Sequence, residues 1–153
     1  MDKLTPGRKE VAQAAVELYT RLKVKWEQSQ QITNSADAYK RMYPILANLQ
    51  TEECWGIFLN QACRPIKIHR ISKGGLSGTL VDVRVVMKEA ILCNSAALIL
   101  VHNHPSGNIR PSKEDDRITT EISKAAQLLN VRMMDHVIVT EGKFYSYADE
   151  GRL

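Results

Sequence analysis

The sequence predicts an α/β fold with three layers, α-β-α, a mixed central sheet and an extra N-terminal helix. Residues 83–92 and 112–129 carry apolar side chains at helical spacing, whereas residues 54–59 and 66–71 are short apolar runs typical of strands. Residues 96–101 are apolar at every position, as expected for a strand that helices cover on both faces. Strands and helices that follow one another in this order favour helices packed on both sides of one sheet.

Composition limits the class of protein. A chain of 153 residues is long enough to bury one hydrophobic core. Its 21 basic and 17 acidic residues are scattered, so the net charge of +4 permits nucleic acid as a partner without arguing for it. Three cysteines without CxxC spacing favour a reducing compartment, and the longest apolar stretch is too short to span a membrane. We therefore expect a soluble, cytoplasmic protein with no membrane partner.

Residues 1–31 are predicted to form an N-terminal helix and linker ahead of the domain at residues 32–153. Apolar residues recur at helical spacing from Arg8 to about Trp26, which predicts an amphipathic helix used for packing or for a homodimer. The polar residues 28–34 predict a linker. Ser35 is a candidate cap for a second helix that extends to Leu46.

The remaining segments predict strands and loops. Residues 60–65 contain turn formers and join the first two strands as a hairpin. The glycine-rich segment Ser72 to Gly78 has neither common phosphate-binding order, so a tight or flexible loop is the better interpretation. Residues 131–140 and 143–147 supply two further strands.

The segment His102-Asn103-His104-Pro105-Ser106-Gly107 lies at the end of the predicted central strand. Because alternate residues of a strand point to the same side, His102 and His104 share a face and both imidazoles can reach one ion. Strand ends are also where α/β folds bind their ligands. A chance HxH pair is common, so a nearby carboxylate is needed to complete a three-ligand metal site with one open position.

The segment Ser112-Lys113-Glu114-Asp115 begins the third long helix and offers such a carboxylate. A serine followed three residues later by an acid also fits a capping box, which is a purely structural explanation. The two interpretations are compatible, because Asp115 at the third helical position can face a cleft while Ser112 orients the first turn. Glu114 and Asp116 are the competing carboxylates. If they face solvent, they only stabilise the helix through their interaction with its dipole.

These motifs resemble a known superfamily. HxHP, then seven residues between His104 and Ser112, then SxxD, is similar to the JAMM signature of the MPN/JAB zinc-dependent hydrolases. HNHPSG, PSxxD, the segment 135–139 (DHVIV) and the terminal segment 145–151 look like the RadC branch, over about residues 32 to 153. The resemblance implies a JAB/MPN-like, cytidine-deaminase-like fold and an association with DNA repair. RadC proteins commonly carry an N-terminal helix-hairpin-helix module, for which the first 30 residues are too short, and this weakens an inference of DNA binding.

The resemblance also implies a metal centre. His102, His104 and Asp115 would bind Zn2+, with a water of lowered pKa as the fourth ligand. Ser112 would donate a hydrogen bond to the oxyanion of the tetrahedral intermediate.

The family further implies a glutamate base ahead of the strand that begins at Cys54. Glu52 fits the RadC register. Glu53 is the alternative, because aligning Gly56 and Ile57 with the ExxGI form of other JAMM proteins shifts the register by one residue.

The expected activity is that of a zinc metallopeptidase acting on a peptide or isopeptide bond, with a peptide or protein as substrate. His136 is expected to be structural or to support a ligand, His69 to lie at the surface, and Ser72 to Gly78 to act as a lid. Zinc deaminases need HxE and PCxxC, and helical zinc proteases need HExxH, none of which occurs in the sequence. The main alternative is a RadC-like binding or scaffold module in DNA processing with little or no turnover.

Overall fold

The computed structural model describes residues 6–74 and 81–153, and the chain divides into two compact units, Met1–Gln30 and Gln31–Leu153. The elements, in chain order, are α1 (Pro6–Ser29), α2 (Ser35–Leu46), β1 (Glu53–Leu59), β2 (Pro65–Lys73), α3 (Val83–Leu92), β3 (Ala97–Asn103), α4 (Lys113–Leu128), β4 (Arg132–Thr140) and β5 (Lys143–Ser146).

Helix α1 forms the first unit. Its described side chains, from Pro6 to Arg21, are exposed except for the half-buried Ala12. One ion pair, between Glu17 and Arg21, spans a single helical turn. The helix continues to Ser29, so the predicted linker begins two residues too early. Among the described residues, every helix falls short of the apolar length that a membrane crossing requires.

A mixed sheet forms the centre of the second unit. Its five described strands lie in the order β2-β1-β3-β4-β5. Strands β3 and β4 are parallel, and the other neighbouring pairs are antiparallel. The predicted hairpin of β1 and β2 is confirmed, with strand ends that differ from the prediction by at most two residues. Strand β3 is the central strand, as predicted, and its residue His102 pairs with Cys54 of β1.

Two hydrophobic clusters among the described residues cover the two faces of this sheet. Helices α3 and α4 pack on one face, against Leu98 and Leu100 of β3. Helix α2 packs on the other face, against Ile99 and Val101. Because successive residues of β3 enter opposite clusters, its unbroken apolar run is explained by burial on both sides. The three-layer α/β fold is confirmed.

Polar residues cap the helices. The side chain of Asn34 accepts a hydrogen bond from the backbone N–H of Asp37 and caps α2, so the prediction of Ser35 as the cap is wrong by one residue. Asn34 has extended backbone angles, φ −150° and ψ 171°, whereas Ser35 is already helical. Ser112 caps α4 as predicted.

The attachment of α4 to the sheet can be tested at Ile122, which is fully buried in the cluster with Leu98 and Leu100. Ile122→Ala removes buried methyl groups and leaves a cavity, so we expect a loss of about 2–5 kcal/mol in the free energy of unfolding. Leu128→Ala is the matched control on the same helix, because Leu128 is 84% exposed, and its effect should stay within about 0.5 kcal/mol. Urea unfolding measures both, and equal effects would contradict the packing described.

Candidate metal centre

Four side chains of ligand type converge at the end of β3. One ligand atom from each of Glu52, His102, His104 and Asp115 lies within 4.8 Å of the other three. His102 is the penultimate residue of β3 and His104 follows the strand, whereas Asp115 is the third residue of α4 and Glu52 directly precedes β1. Residues from three separate elements therefore meet at one point.

The imidazoles and the carboxylate of Asp115 form the tightest part of this cluster. His102 Nε2 lies 2.9 Å from His104 Nε2 and 3.2 Å from Asp115 Oδ1. His104 Nε2 lies 3.5 Å from Asp115 Oδ2. Glu52 is slightly farther away, with its Oε1 3.9 Å from His102 Nε2. The arrangement is three close donor groups with a second carboxylate beside them.

The structure separates the two candidate glutamates. The buried Glu53 accepts a hydrogen bond from Trp55 Nε1 at 3.0 Å, and its carboxylate lies 3.4 Å from Arg70 Nη1. Neighbouring residues at the start of a strand point to opposite faces, so Glu53 faces away from the histidines while Glu52 faces them. The structure brings Glu52, and not Glu53, to the cluster.

Asn103 holds the segment that carries Glu52. Its Oδ1 accepts from the backbone N–H of Glu53 at 2.8 Å, and its Nδ2 donates to the carbonyl of Thr51 at 3.0 Å. The two peptide neighbours of Glu52 are therefore fixed by a single side chain. Sequence reasoning missed this positioning function of Asn103. The signal in the sequence is a polar residue between the two histidines, and the structure shows that it is buried.

Ser112 and Asp115 form a capping box that also orients the carboxylate. Ser112 Oγ accepts from the backbone N–H of Asp115 at 3.1 Å and donates to Asp115 Oδ2 at 2.7 Å. Burial raises the pKa of Asp115, but hydrogen bonds from His102 and His104 outweigh it and hold the pKa well below its usual range. The structural and the functional interpretation of SxxD thus apply to the same atoms.

The two competing carboxylates have other partners. Glu114 forms an exposed ion pair with Arg117. Asp116 Oδ1 accepts from the hydroxyl of Tyr147 at 2.8 Å and from Arg152 Nη2 at 2.8 Å. Asp115 is therefore the carboxylate of this helix that reaches the histidines, and Asp116 serves to attach the C-terminal residues.

His104 is oriented by the loop that follows it. Its Nδ1 lies 2.6 Å from the carbonyl oxygen of Asn108, and because a carbonyl can only accept, Nδ1 carries a proton and donates. Gly107 has φ +79°, a conformation that lets this loop turn back. Burial lowers the pKa of His104, but hydrogen bonds to Asp115 and Asn108 outweigh it and the pKa is raised. Because its pKa is raised, His104 holds a second proton, on Nε2, more readily than an isolated histidine does.

His136 lies directly behind His102. Its Nε2 is 2.8 Å from His102 Nδ1, and its Nδ1 is 2.6 Å from Thr119 Oγ1. The ring is fully buried and stacks on Tyr147 with an interplanar angle of 6°. Burial lowers the pKa of His136 well below its usual value. Sequence reasoning missed Thr119, whose only signal is its position one helical turn after Asp115.

His69 lies outside the cluster, and the proposed lid is only partly described. His69 is on β2, 42% of its side chain is exposed, and its Nε2 lies 3.9 Å from Glu89 Oε1. Of the proposed lid Ser72 to Gly78, the structure describes Ser72 to Gly74, and residues 75–78 lie outside the described residues.

The donor set fits a divalent metal ion. Imidazole nitrogens and carboxylate oxygens are both common zinc ligands. A cavity of about 10 Å³ lies against Glu52, His102 and Asp115, which is about the volume that a single water-sized occupant requires. A larger groove of about 370 Å³ runs beside His104 and the loop that follows it.

Fold and site together define a three-layer α/β protein with a candidate metal centre at the end of its central strand. Comparison with known proteins identifies the family, since residues 32–152 match the model of the RadC-like JAB domain. The chain belongs to this family.

Two curated relatives illustrate the similarity. A UPF0758 protein of Flavobacterium johnsoniae is 48% identical over 120 residues, which cover 78% of this chain and 52% of the relative. A UPF0758 protein of Porphyromonas gingivalis is 41% identical over 150 residues, which cover 97% of this chain and 66% of the relative. The chain thus spans between about half and two thirds of the length of these relatives.

Metal binding by this cluster can be tested with two neighbouring aspartates. Asp115→Asn removes a charged ligand. Loss of a residue that only hydrogen-bonds to a ligand lowers metal affinity by roughly 10- to 100-fold, so we expect zinc affinity to fall by more than this. Asp116→Asn changes the contacts to Tyr147 and Arg152 only and should leave zinc affinity unchanged. Competition with a chromophoric chelator measures both. Equal losses in the two variants would rule out Asp115 as a specific ligand.

Proposed function

We propose that this chain is a zinc-dependent hydrolase of the JAMM type that cleaves a peptide or isopeptide bond. The observation that carries the proposal is the convergence of two imidazoles and one carboxylate with Glu52 beside them. Three protein ligands with an open position are typical of catalytic zinc, whereas structural zinc sites are closed by four.

The position of Glu52 favours hydrolysis over other metal chemistry. Two histidines and one carboxylate are also the ligand set of iron oxygenases, so the ligands alone fit two classes of enzyme. A general base next to the metal accelerates hydrolysis, and Glu52, the second carboxylate of the cluster, supplies one. Glu52 Oε1 lies 3.9 Å from His102 Nε2, close to the ligands without being one of the tight group.

The residues of this chain would divide the reaction between them. When bound, zinc polarises a carbonyl and brings the pKa of water towards neutrality. Glu52 would take a proton from the attacking water and deliver it to the leaving amine, so that a C–O bond forms as the amide C–N bond breaks. Asp115, His102 and His104 would hold the metal.

Ser112 would donate to the oxyanion only after a rearrangement. Its single hydroxyl proton points to Asp115 Oδ2 at 2.7 Å in this structure. The hydroxyl would have to rotate towards the substrate oxygen while the backbone N–H of Ser112, also 2.7 Å from Oδ2, keeps the carboxylate in place.

The groove beside His104 is the proposed position of the substrate. It is lined by the α2–β1 connection, the loop after β3 and the β4–β5 turn, and its volume is about 370 Å³. A polypeptide segment is the substrate that we propose for this groove. An association with DNA repair, and contact with nucleic acid, rest on the resemblance to RadC proteins.

A substrate screen separates the hydrolase from the alternative binding module. Zinc-loaded protein is incubated with peptide, isopeptide-linked and nucleic-acid substrates, and products are identified by mass spectrometry. Turnover of a peptide or isopeptide bond supports the proposal. Tight zinc binding without turnover of any substrate class would favour a scaffold in DNA processing.

The role of Glu52 can be tested by an isosteric change. Glu52→Gln cannot accept the proton from water, so we expect kcat to fall by about 10²- to 10⁴-fold while zinc remains bound. Glu53→Gln is the matched control, because Glu53 faces Trp55 and Arg70 instead. Steady-state kinetics and zinc analysis of both variants provide the measurement. Wild-type kcat in Glu52→Gln would eliminate this residue as the base.

A further inference from the structure

A chain of three short hydrogen bonds runs from the α4 backbone to His102. Thr119 Oγ1 lies 2.6 Å from the carbonyl oxygen of Asp115 and 2.6 Å from His136 Nδ1. His136 Nε2 lies 2.8 Å from His102 Nδ1. Each of these contacts is buried, and each distance requires one proton between the two atoms.

The carbonyl at one end decides the direction of every bond. A carbonyl oxygen only accepts, so the single hydroxyl proton of Thr119 points to Asp115. Thr119 Oγ1 can then only accept from His136, which places the proton of His136 on Nδ1. The Nε2 atom of His136 is left with a lone pair, and it accepts from the Nδ1–H of His102.

The consequence reaches the inner nitrogen of His102. A neutral imidazole carries one N–H, so a proton on Nδ1 leaves a lone pair on Nε2. This Nε2 is the atom that faces His104 and Asp115. If the three hydrogen bonds ran in the opposite direction, His102 Nε2 would carry a proton and could not ligate a metal.

We propose that Thr119 and His136 are positioning residues that fix the tautomer of His102 and keep its Nε2 lone pair directed into the metal centre. The inference rests on the proposed metal site. Thr119 also contacts the backbone of Asp115, so the same hydroxyl links the helix that carries one ligand to the ring that carries another. Outer hydrogen bonds of this kind set the orientation and basicity of histidine ligands.

Variants of Thr119 test the proposal through zinc affinity. Thr119→Val keeps the shape of the side chain and removes the hydroxyl, and we expect affinity to fall by about 10- to 100-fold. Thr119→Ser keeps the hydroxyl and should bind zinc like wild type. Thr120→Val is the matched control, because Thr120 makes the same type of bond, to the carbonyl of Asp116 at 3.0 Å, on the exposed side of α4. A folded Thr119→Val protein with wild-type affinity overturns the proposal.

A second pair of variants tests the proposal even if the Thr119→Val protein does not fold. His136→Gln offers an amide oxygen that can accept from His102 Nδ1–H, whereas His136→Leu offers no acceptor. We expect the glutamine variant to bind zinc more tightly than the leucine variant, with thermal unfolding of the metal-free proteins as the control for folding. Equal affinities contradict the proposed function of His136.

Nitrogen NMR of the histidine rings gives a readout that needs neither metal nor substrate. In metal-free wild-type protein, ¹⁵N shifts should show His136 protonated at Nδ1, and in Thr119→Val the proton should move to Nε2. Protonation of His136 at Nε2 in the wild type overturns the proposal. Protein that binds zinc but turns over no substrate contradicts the proposed hydrolase and leaves the tautomer result unchanged, so the two failures are distinguishable.

Discussion

The pairing of β1 with β3 is the constraint on which the rest of the site depends. Its register places Cys54 opposite His102, so the residue before β1 comes to lie beside the histidines. Asn103 then fixes the backbone on both sides of Glu52. Because side chains alternate along a strand, a shift of one residue in this pairing would bring Glu53 to the cluster and turn Glu52 away. Such a shift would also break the two hydrogen bonds of Asn103, because they join it to the peptides on either side of Glu52 in this register only.

The hydrogen bonds of Asp135 hold the C-terminal turn in place, and through that turn they also support His136 beside His102. Asp135 accepts from the backbone N–H of His136 at 2.7 Å and from the hydroxyl of Ser146 at 2.6 Å. It also accepts from the backbone N–H of Ala148 at 3.0 Å, and these bonds hold the C-terminal turn in which Tyr147 stacks on His136. The capping box of α4 is a similar case, because the atoms that start the helix also orient Asp115. Stability and site geometry therefore depend on the same contacts.

Local patterns in the sequence were sufficient for the fold, and together with the resemblance to JAMM proteins they identified the residues at the centre of the candidate site. Helix α3 has the predicted ends, Val83 and Leu92, because helical spacing is read over a single continuous segment. The pairing of His102 with His104 and the SxxD cap are equally local. The choice between Glu52 and Glu53 was not, since two adjacent acids at a strand start are distinguished only by the register with another strand. Thr119 and His136 lie on different elements, and nothing in their spacing predicts that they meet.

The charges of the cluster suit one additional cation. Asp115 is held in its charged form, and His104 has a raised pKa, yet the buried His136 behind them has a pKa lowered well below its usual value. Positive charge is thus favoured at His104, whose Nε2 lies 2.9 Å from His102 Nε2, and disfavoured at His136. Two unprotonated nitrogens and a carboxylate repel one another at such distances unless a proton or a metal ion lies between them. A metal ion and a proton would therefore compete for the same position, and a metal ion that bound there would displace the proton.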